Sequence, residues 1–297
     1  MNHGSPRPVV SLVKSDGHYE GTKKALSLID DQIEKSIRGK KRVVIKPNFV
    51  QTSSQLASTH VDSVRAVMDV IAEHYHGKLT IGEGPAIGGM ESGISNFGYD
   101  KLRQEHDVDF IDLNYDEYAE LEGVDRHLKP LKFRFSKTVL ECDYLISVAK
   151  PKTHDCVITT LSIKNVVVGS LVKTLEKKKI HQGIKAINLN IAKLAEHCMP
   201  HLAVVDGYVG MEGRGPVRGD RIDLGASAAS LHPVSLDAVM STVMGFQATD
   251  IGYLHHLNTW GKGVSDLRKI QVIGEPIKNV TVKFRPHPTY EEQLRWR

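Results

Sequence analysis

The stretch Arg42-Val43-Val44-Ile45-Lys46-Pro47-Asn48 decides the fold. Its three consecutive apolar residues lack the polar alternation of a half-exposed strand and are typical of a parallel strand buried on both faces. Pro47 ends this strand, because proline has no N–H to donate to the sheet ladder. Apolar residues at a helical period over 61–72 predict a helix, and Lys78-Leu79-Thr80-Ile81 is interpreted as the next strand, which together make a β-α-β unit. A parallel sheet with right-handed crossovers is therefore expected.

The alternation of strands and helices continues on both sides of this unit. The pattern predicts further strands at 8–13, 109–113, 131–135, 144–148, 202–205, 222–226, 270–273 and 280–284. It predicts further helices at 21–37, 99–104, 160–175, 183–196 and 233–244. We therefore expect an α/β fold of mostly parallel sheet with flanking helices, arranged as two interleaved lobes around a cleft. No Pro/Ser-rich linker marks a boundary, so residues 1–297 are expected to form one unit, with possible lobes at about 1–140 and 141–297.

Composition is that of a soluble globular protein, with 40% hydrophobic and 25% charged residues among 297. No apolar run approaches the roughly 18 residues of a membrane span, and the first eight residues lack the apolar segment of a secretory signal. The three cysteines, Cys142, Cys156 and Cys198, show no C-x-x-C spacing. This argues against a disulfide framework, a zinc ribbon and an iron–sulfur cluster. A cytoplasmic location is the expectation.

Positive charge is concentrated in one part of the chain. Residues 150–185 contain eight lysines against Asp155 and Glu176, an excess of six that is larger than the +4 of the whole chain. Such a field attracts an anion such as a phosphate or carboxylate, although Lys177-Lys178-Lys179 could equally be a solvated helix face. Nucleic acid is an unlikely partner, because only 6% of the residues are aromatic and little stacking surface is available.

Ligands of open α/β sheets bind outside the carboxyl ends of the strands. Four predicted strand ends are followed by polar or glycine-rich segments, so we expect one cleft lined by residues from all four. These residues are Lys46, Asn48, His60, Glu83, Lys150, Lys152, His154, Thr159, Ser162, Lys164, Asn165, Asp206, Glu212 and Arg214.

Three of these residues are candidates for catalysis. His154 is expected to move a proton, since histidine titrates near neutrality. Lys164 is a covalent anchor or an electrostatic stabiliser, and Glu83 a carboxylate base or ligand. The remaining residues would hold an anion, with Lys150 and Lys152 on one face of an extended segment. The alternative is that the lysines extend along the surface into water and that Glu83 is solvated.

The spacing of glycines and of candidate ligands argues against several common sites. Gly82-x-Gly84-x-x-x-Gly88 has one residue too many for a dinucleotide fingerprint, and neither a P-loop nor a G-x-S-x-G motif occurs. His154 and Cys156, or the cluster His197-Cys198-x-x-His201, do not supply four zinc ligands. Metal ligands therefore stay unknown at this point.

A series of motifs resembles the domain of unknown function numbered 362. The motifs, in order, are Lys46-Pro47-Asn48, Thr59-His60, Gly82-Glu83-Gly84-Pro85, Glu141-Cys142-Asp143, Pro151-Lys152-Thr153-His154, Ser162-Ile163-Lys164-Asn165, Val205-Asp206-Gly207, Met211-Glu212-Gly213-x-Gly215-Pro216 and His232-Pro233-Val234-Ser235-Leu236-Asp237. Some members of this family carry an iron–sulfur ferredoxin module, for which this chain has no cysteine pattern. The resemblance brings no established reaction.

A more distant similarity is to the nickel-dependent lactate racemase superfamily. There a histidine precedes, by ten positions, the lysine that holds a nickel-pincer nucleotide, and His154 and Lys164 have this separation here. The loop between them is glycine-rich in that superfamily, whereas this chain has Thr159-Thr160-Leu161-Ser162. Lys46-Pro47-Asn48 also replaces the superfamily's aspartate-arginine motif. The resemblance implies a nickel-type or nucleotide cofactor as one option, and leaves open whether this chain uses it.

The sequence thus favours an enzyme, racemase- or isomerase-like or redox-associated, that acts on a small anionic molecule or uses a phosphorylated cofactor in a basic cleft. The alternative is a non-catalytic protein that binds a cofactor or an anion in the same cleft. The substrate and the oligomeric state stay open.

Overall fold

A computed structural model describes residues 6–297 of the protein. Residues 1–5 lie outside this range; they belong to the amino terminus for which the sequence predicts no secretory signal. The strands are β1 (Val9–Lys14), β2 (Val43–Lys46), β3 (Leu79–Glu83), β4 (Val108–Asp112), β5 (Tyr118–Val124), β6 (Pro130–Ser136), β7 (Tyr144–Ala149), β8 (Lys152–Thr153), β9 (Thr159–Thr160), β10 (Leu202–Glu212), β11 (Asp220–Ser230) and β12 (Gln271–Gly274). The helices are α1 (His18–Ser27), α2 (Asp30–Ile37), α3 (Val61–Ala72), α4 (Met90–Phe97), α5 (Leu102–Glu105), α6 (Lys137–Leu140), α7 (Ser162–Gly169), α8 (Lys173–Lys179), α9 (Ile184–Cys198), α10 (Pro233–Val243), α11 (Gly252–Thr259), α12 (Ile277–Val280) and α13 (Tyr290–Gln293).

Eight strands form one continuous sheet in the order β12-β1-β11-β10-β7-β2-β3-β4. The neighbours from β10 to β4 are parallel, and β11 is antiparallel to both β1 and β10. The short strand β8 extends this sheet by pairing with β10 and β9, whereas β5 and β6 form a separate hairpin. The predicted α/β fold of mostly parallel sheet with flanking helices is therefore confirmed, and strands from both predicted lobes belong to the same sheet.

The central strands are buried on both faces, as their continuous apolar sequence predicts. Val44 and Leu145 belong to the core shared with α7, α9 and α10. Ile45 and Ile146, their neighbours in sequence, belong to the core shared with α1 and α3 on the opposite face. This double burial fixes the carboxyl ends of β2 and β7 side by side.

Three sequence predictions differ from the structure. The helix predicted at 21–37 is two helices, with Ile29 in non-helical geometry between them. The helix predicted at 160–175 ends at Gly169, and α8 begins at Lys173. The strand predicted at 280–284 is wrong: the N–H groups of Val282 and Phe284 donate to carbonyls at the end of α10 rather than to a neighbouring strand.

Membrane-spanning helices are absent from the described part of the chain, where no helix is both long and apolar enough to cross a bilayer.

Candidate functional site

The site begins with a buried ion pair between two strand ends. Lys46 ends β2 and Glu83 ends β3; because the two strands are parallel neighbours, both side chains lie at the carboxyl edge of the sheet. Lys46 Nζ donates to Glu83 Oε2, and neither side chain is more than 2% exposed. Burial lowers the pKa of Lys46 and raises the pKa of Glu83, while their mutual attraction opposes both shifts.

A network of amide groups connects this pair to α7. Asn165 Oδ1 accepts from Lys46 Nζ at 3.1 Å and from Asn48 Nδ2 at 3.2 Å, and its Nδ2 donates to the Lys46 carbonyl at 3.1 Å. Lys152 Nζ in turn donates to Asn48 Oδ1 and to the Ala57 carbonyl. Burial, and after it the charge of Lys164, lowers the pKa of Lys152 well below its usual value. Five residues predicted from three strand ends thus form one buried polar cluster.

Helix α7 is held at its first turn by a carboxylate from α10. Asp237 accepts from the N–H groups of Ser162, at 2.9 Å, and Ile163, at 3.1 Å, and also from the Ser162 hydroxyl. These N–H groups have no partner inside the helix, and a negative charge there is favourable. Thr159, just before the helix, contacts the Ser241 hydroxyl of α10 at 3.2 Å. The hydroxyls of Thr159 and Ser162, predicted to bind a ligand, are thus used to fix α7.

Lys164 lies in this first turn and is 6% exposed. Its Nζ makes no hydrogen bond to any residue in the range 6–297. Burial lowers the pKa of Lys164 to about 8, although the nearby Asp155 carboxylate opposes the shift. An amine with this pKa exists in both protonation states near neutral pH.

His154 begins a tight loop between β8 and β9. Its N–H donates to the Ile158 carbonyl at 2.9 Å, and its Nδ1 accepts from the Cys156 N–H at 3.0 Å. The ring is 2% exposed, and burial, then the charge of Lys164, lowers the pKa of His154 to about 3. The imidazole is therefore neutral at physiological pH.

The carboxyl-terminal helix α13 fastens the same loop. Gln293 Nε2 donates to the His154 carbonyl at 2.8 Å, and Gln293 Oε1 accepts from the Ile158 N–H. Thr289 Oγ1 donates to the Asp155 carbonyl at 2.8 Å. These bonds stabilise Ile158 at φ 66°, a left-handed conformation that costs energy for a β-branched residue. Nothing in the sequence pattern connected Gln293 to the site.

A cavity of about 280 Å³ opens beside these groups. Five predicted residues line it, namely Asn48, Glu83, His154, Lys164 and Asn165. Lys46 and Lys152 lie behind them and hold Glu83 and Asn48 through the hydrogen bonds described above.

Two further residues lining the cavity were not predicted as site residues. Lys177 is buried and donates to Asn114 Oδ1 at 2.6 Å, and burial lowers its pKa to about 8. His181 lies at the rim, with its ring 6.4 Å from that of His154 and nearly parallel to it. Its Nδ1 is 2.8 Å from the Lys177 carbonyl, and since a carbonyl only accepts, Nδ1 carries the proton and Nε2 keeps its lone pair. The sequence signal for Lys177 was the run Lys177-Lys178-Lys179. From the sequence this run could be either part of an anion-binding site or a solvated helix face.

Three predicted residues form a second cluster away from the cavity lining. Asp206 lies 2.6 Å from Nδ1 of His18, whose ring stacks on that of His60 at 4.1 Å. Lys150 is 3% exposed nearby; burial lowers its pKa and Asp206 opposes the shift. Lys150 and Lys152 therefore lie in two different clusters.

The last two predicted residues also lie outside the cavity lining. Glu212 accepts from the Arg285 N–H at 2.8 Å, and Arg214 is exposed.

Two groups of described side chains could hold a metal; Asp30, Glu73 and His74 form one, away from the cavity lining, and the other lies in the His154 loop. Nδ1 of His154, a carboxylate oxygen of Asp155 and Sγ of Cys156 are all within 4.8 Å of one another. The nickel-type cofactor implied by the sequence resemblance needs a lysine amine and soft or borderline donors, and Lys164 with this loop is compatible with those requirements.

The comparisons with known proteins agree with this architecture. Residues 43–242 match the domain of unknown function DUF362. A thylakoid-associated protein, sll1697, of Synechocystis sp. is 28% identical over 207 residues, which are 68% of this chain and 63% of that protein.

A solved structure shares the fold. The lactate racemase apoprotein from Thermoanaerobacterium thermosaccharolyticum superposes with a TM-score of 0.52 and 16% sequence identity, over 80% of this chain and 57% of that chain. This chain thus spans less than two thirds of the length of both proteins. Since the DUF362 match covers more than half of its residues, the chain belongs to the DUF362 family.

Proposed function

We propose that this protein is an enzyme that binds a small anionic molecule in the cavity and moves a proton on it with Lys164. The observation that carries the proposal is the state of this lysine: its side chain is only 6% exposed, it lines the cavity, its pKa is about 8, and its amine makes no hydrogen bond to the described residues. Lys46, Lys152 and Lys177 have hydrogen-bond partners, as structural buried lysines are expected to have. Lys150 is also buried and makes no such bond among the described residues, but it does not line the cavity.

The charges around the cavity favour an anion. Lys164, Lys177 and Lys178 line it, and the lining carboxylates are Glu83 and Asp155. Lys46 compensates Glu83, so positive charge is in excess. In a partly enclosed site such an excess attracts negatively charged ligands.

The two nitrogen groups have different roles. Lys164 can give or take a proton near neutral pH, and in its neutral form it can also form a covalent bond to a ligand. His154 stays neutral; with Nδ1 accepting from Cys156 it carries its proton on Nε2, as a hydrogen-bond donor to a ligand oxygen.

The cavity volume favours a small ligand. At about 280 Å³ it lies at the lower end of ligand pockets, which suits a small carboxylate or phosphate better than a dinucleotide. The structure with the same fold is that of a lactate racemase, whose name refers to a small carboxylate. If a nickel-type cofactor binds, Lys164 would hold it and the His154 loop would supply donors; the group would contribute a Lewis-acidic metal.

The test is proton exchange in heavy water. The purified chain is incubated with small 2-hydroxy acids and phosphorylated acids, and deuterium incorporation is followed by NMR. We expect incorporation with wild type, loss in Lys164→Ala, and no change in Lys101→Ala, which replaces an exposed lysine. Binding by calorimetry without exchange would favour the rival, a non-catalytic anion-binding protein, and neither binding nor exchange would refute both.

For location we propose the cytoplasm, on the sequence alone. The related protein is described as thylakoid-associated. Fractionation of cells with an antibody to this chain decides between a soluble and a membrane-bound pool.

A further inference from the structure

Three different donor atoms converge in the His154–Ile158 loop. His154 Nδ1 and Asp155 Oδ1 are 2.9 Å apart, and Cys156 Sγ lies within 4.8 Å of both. Two ligand atoms about 2.1 Å from one tetrahedral metal are separated by roughly 3.4 Å. The nitrogen and oxygen, now at hydrogen-bond distance, would therefore separate by about half an ångström to share one metal.

The three side chains now bond to one another within the loop. Nδ1 of His154 has one lone pair, which accepts from the Cys156 N–H at 3.0 Å, and Asp155 Oδ1 lies 2.9 Å from the same nitrogen. A cation bound at Nδ1 would replace the contact with the Cys156 N–H and bind the adjacent carboxylate as well.

The loop is held in shape by bonds outside the donor atoms. Gln293 holds the backbone of His154 and Ile158, and Thr289 holds the carbonyl of Asp155. These bonds use only backbone atoms of the loop, so the side chains of His154 and Asp155 make their contacts within the loop itself. Outer contacts of this kind orient metal ligands in characterised sites.

We propose that His154, Asp155 and Cys156 chelate one divalent transition metal at the edge of the cavity. Imidazole nitrogen, carboxylate and thiolate together select zinc, cobalt or nickel rather than magnesium or calcium, which prefer oxygen. The thiol loses its proton on binding, so the carboxylate and thiolate together balance the charge of the ion beside Lys164.

The remaining coordination position faces the ligand cavity, which His154 and Asp155 line. Three protein ligands with one open position are the pattern of catalytic rather than structural zinc sites. The proposal uses the cavity of the proposed function but does not depend on Lys164 as a base.

The experiment titrates metal-free, full-length protein with Zn²⁺ and with Co²⁺. Equilibrium dialysis with elemental analysis is expected to give one ion per chain, and Co²⁺ should give a near-ultraviolet thiolate-to-cobalt band. Asp155→Asn and Cys156→Ser are expected to weaken binding by at least tenfold, and Cys156→Ser should abolish the band. Cys142→Ser, which removes a cysteine elsewhere in the fold, is the matched control and should leave both unchanged.

Several results would overturn the proposal. Wild-type affinity in Cys156→Ser, with unchanged melting temperature, would exclude the chelate, as would no binding by wild type. Loss of the ion only in His74→Ala would show that it binds to the group of Asp30, Glu73 and His74 instead.

Lys164→Ala separates this proposal from the proposed function. The chelate predicts that this variant keeps the ion when only inorganic metal is supplied, even where proton exchange is lost. Loss of the ion in Lys164→Ala would instead assign the metal to a lysine-anchored cofactor and contradict the chelate.

Discussion

Lys46 and Glu83 end two neighbouring parallel strands and form an ion pair from which water is excluded, since neither side chain is more than 2% exposed. The pair supports the cavity from behind, because Glu83 lines it and Lys46 holds Asn165. Two further buried lysines, Lys152 and Lys164, are close enough that each affects the charge balance of the cluster. Glu83 is therefore the more important member of the pair for stability, because it compensates positive charge in a cluster that contains several buried lysines.

Glu83→Gln is expected to lower the free energy of unfolding by about 3–5 kcal/mol, because it leaves Lys46 charged and buried without compensation. Glu120→Gln, which breaks the exposed pair with Lys132, should cost far less, because water screens that pair. Urea denaturation measures both. Equal costs for the two variants would show that Glu83→Gln does not leave an uncompensated charge on Lys46. The double variant Lys46→Met with Glu83→Leu removes both charges and should recover most of the lost stability.

The pH dependence of stability should contain a contribution from Lys164. Its pKa is lowered from 10.5 to about 8 in the folded state, so between these values the unfolded chain binds more protons and this contribution rises with pH. Between pH 8 and 10.5 the wild type is expected to gain up to about 3 kcal/mol of unfolding free energy relative to Lys164→Met. A difference that is flat over this range, measured by denaturation at each pH, would contradict the lowered pKa.

Anion binding should have the opposite trend with pH. Above pH 8 Lys164 loses its positive charge, so the affinity for an anionic ligand is expected to fall there. Calorimetric titration from pH 6 to 10 measures this. An affinity that is independent of pH would mean that Lys164 does not contact the ligand.

Asp237→Asn should destabilise the protein by about 1–3 kcal/mol, because an amide cannot accept all the bonds that α7 and Tyr253 now donate to the carboxylate. It should also weaken ligand binding by displacing Lys164. Asp266→Asn, at an exposed cap, is the control. Destabilisation without any change in binding would show that α7 does not depend on Asp237 for its position.

Gly169→Ala is expected to be destabilising by about 1–3 kcal/mol, although alanine normally favours a helix. A Cβ at Gly169 would lie 2.3 Å from Lys46 Nζ, and the bonds of this buried lysine to Glu83 and Asn165 oppose its displacement. Gly89→Ala, where a Cβ meets nothing within 4 Å, provides the comparison. A melting temperature of Gly169→Ala at or above that of wild type would mean that the Lys46 network can rearrange.

The sequence identified the strand ends because burial leaves a local pattern. Val43 to Ile45 are apolar without interruption, and this required no knowledge of partners. The same logic failed at 280–284, where Val282 and Phe284 alternate with polar residues but bond along the end of α10. Alternation of apolar and polar residues indicates which side of an extended segment is buried. It does not indicate whether a strand or a helix packs on that side.

Pairing between distant residues left no comparable pattern. Lys46, Asn48 and Glu83 were all predicted as ligand-binding or catalytic, yet nothing local indicated that Lys46 would be bonded to Glu83 and Lys152 to Asn48. Similarly, Lys177 was visible only as part of a lysine run, although its burial distinguishes it from the exposed Lys178. Which charges compensate each other depends on tertiary contacts.

The bonds from Gln293 to the His154 loop have a consequence for the order in which the protein is made. Gln293 follows His154 by 139 positions, so a ribosome has produced nearly the whole sheet before this contact can form. During that interval Ile158 lacks the partner that stabilises its left-handed backbone. The donor atoms of the loop therefore reach their final arrangement last, which delays the finished cavity until the scaffold around it is complete.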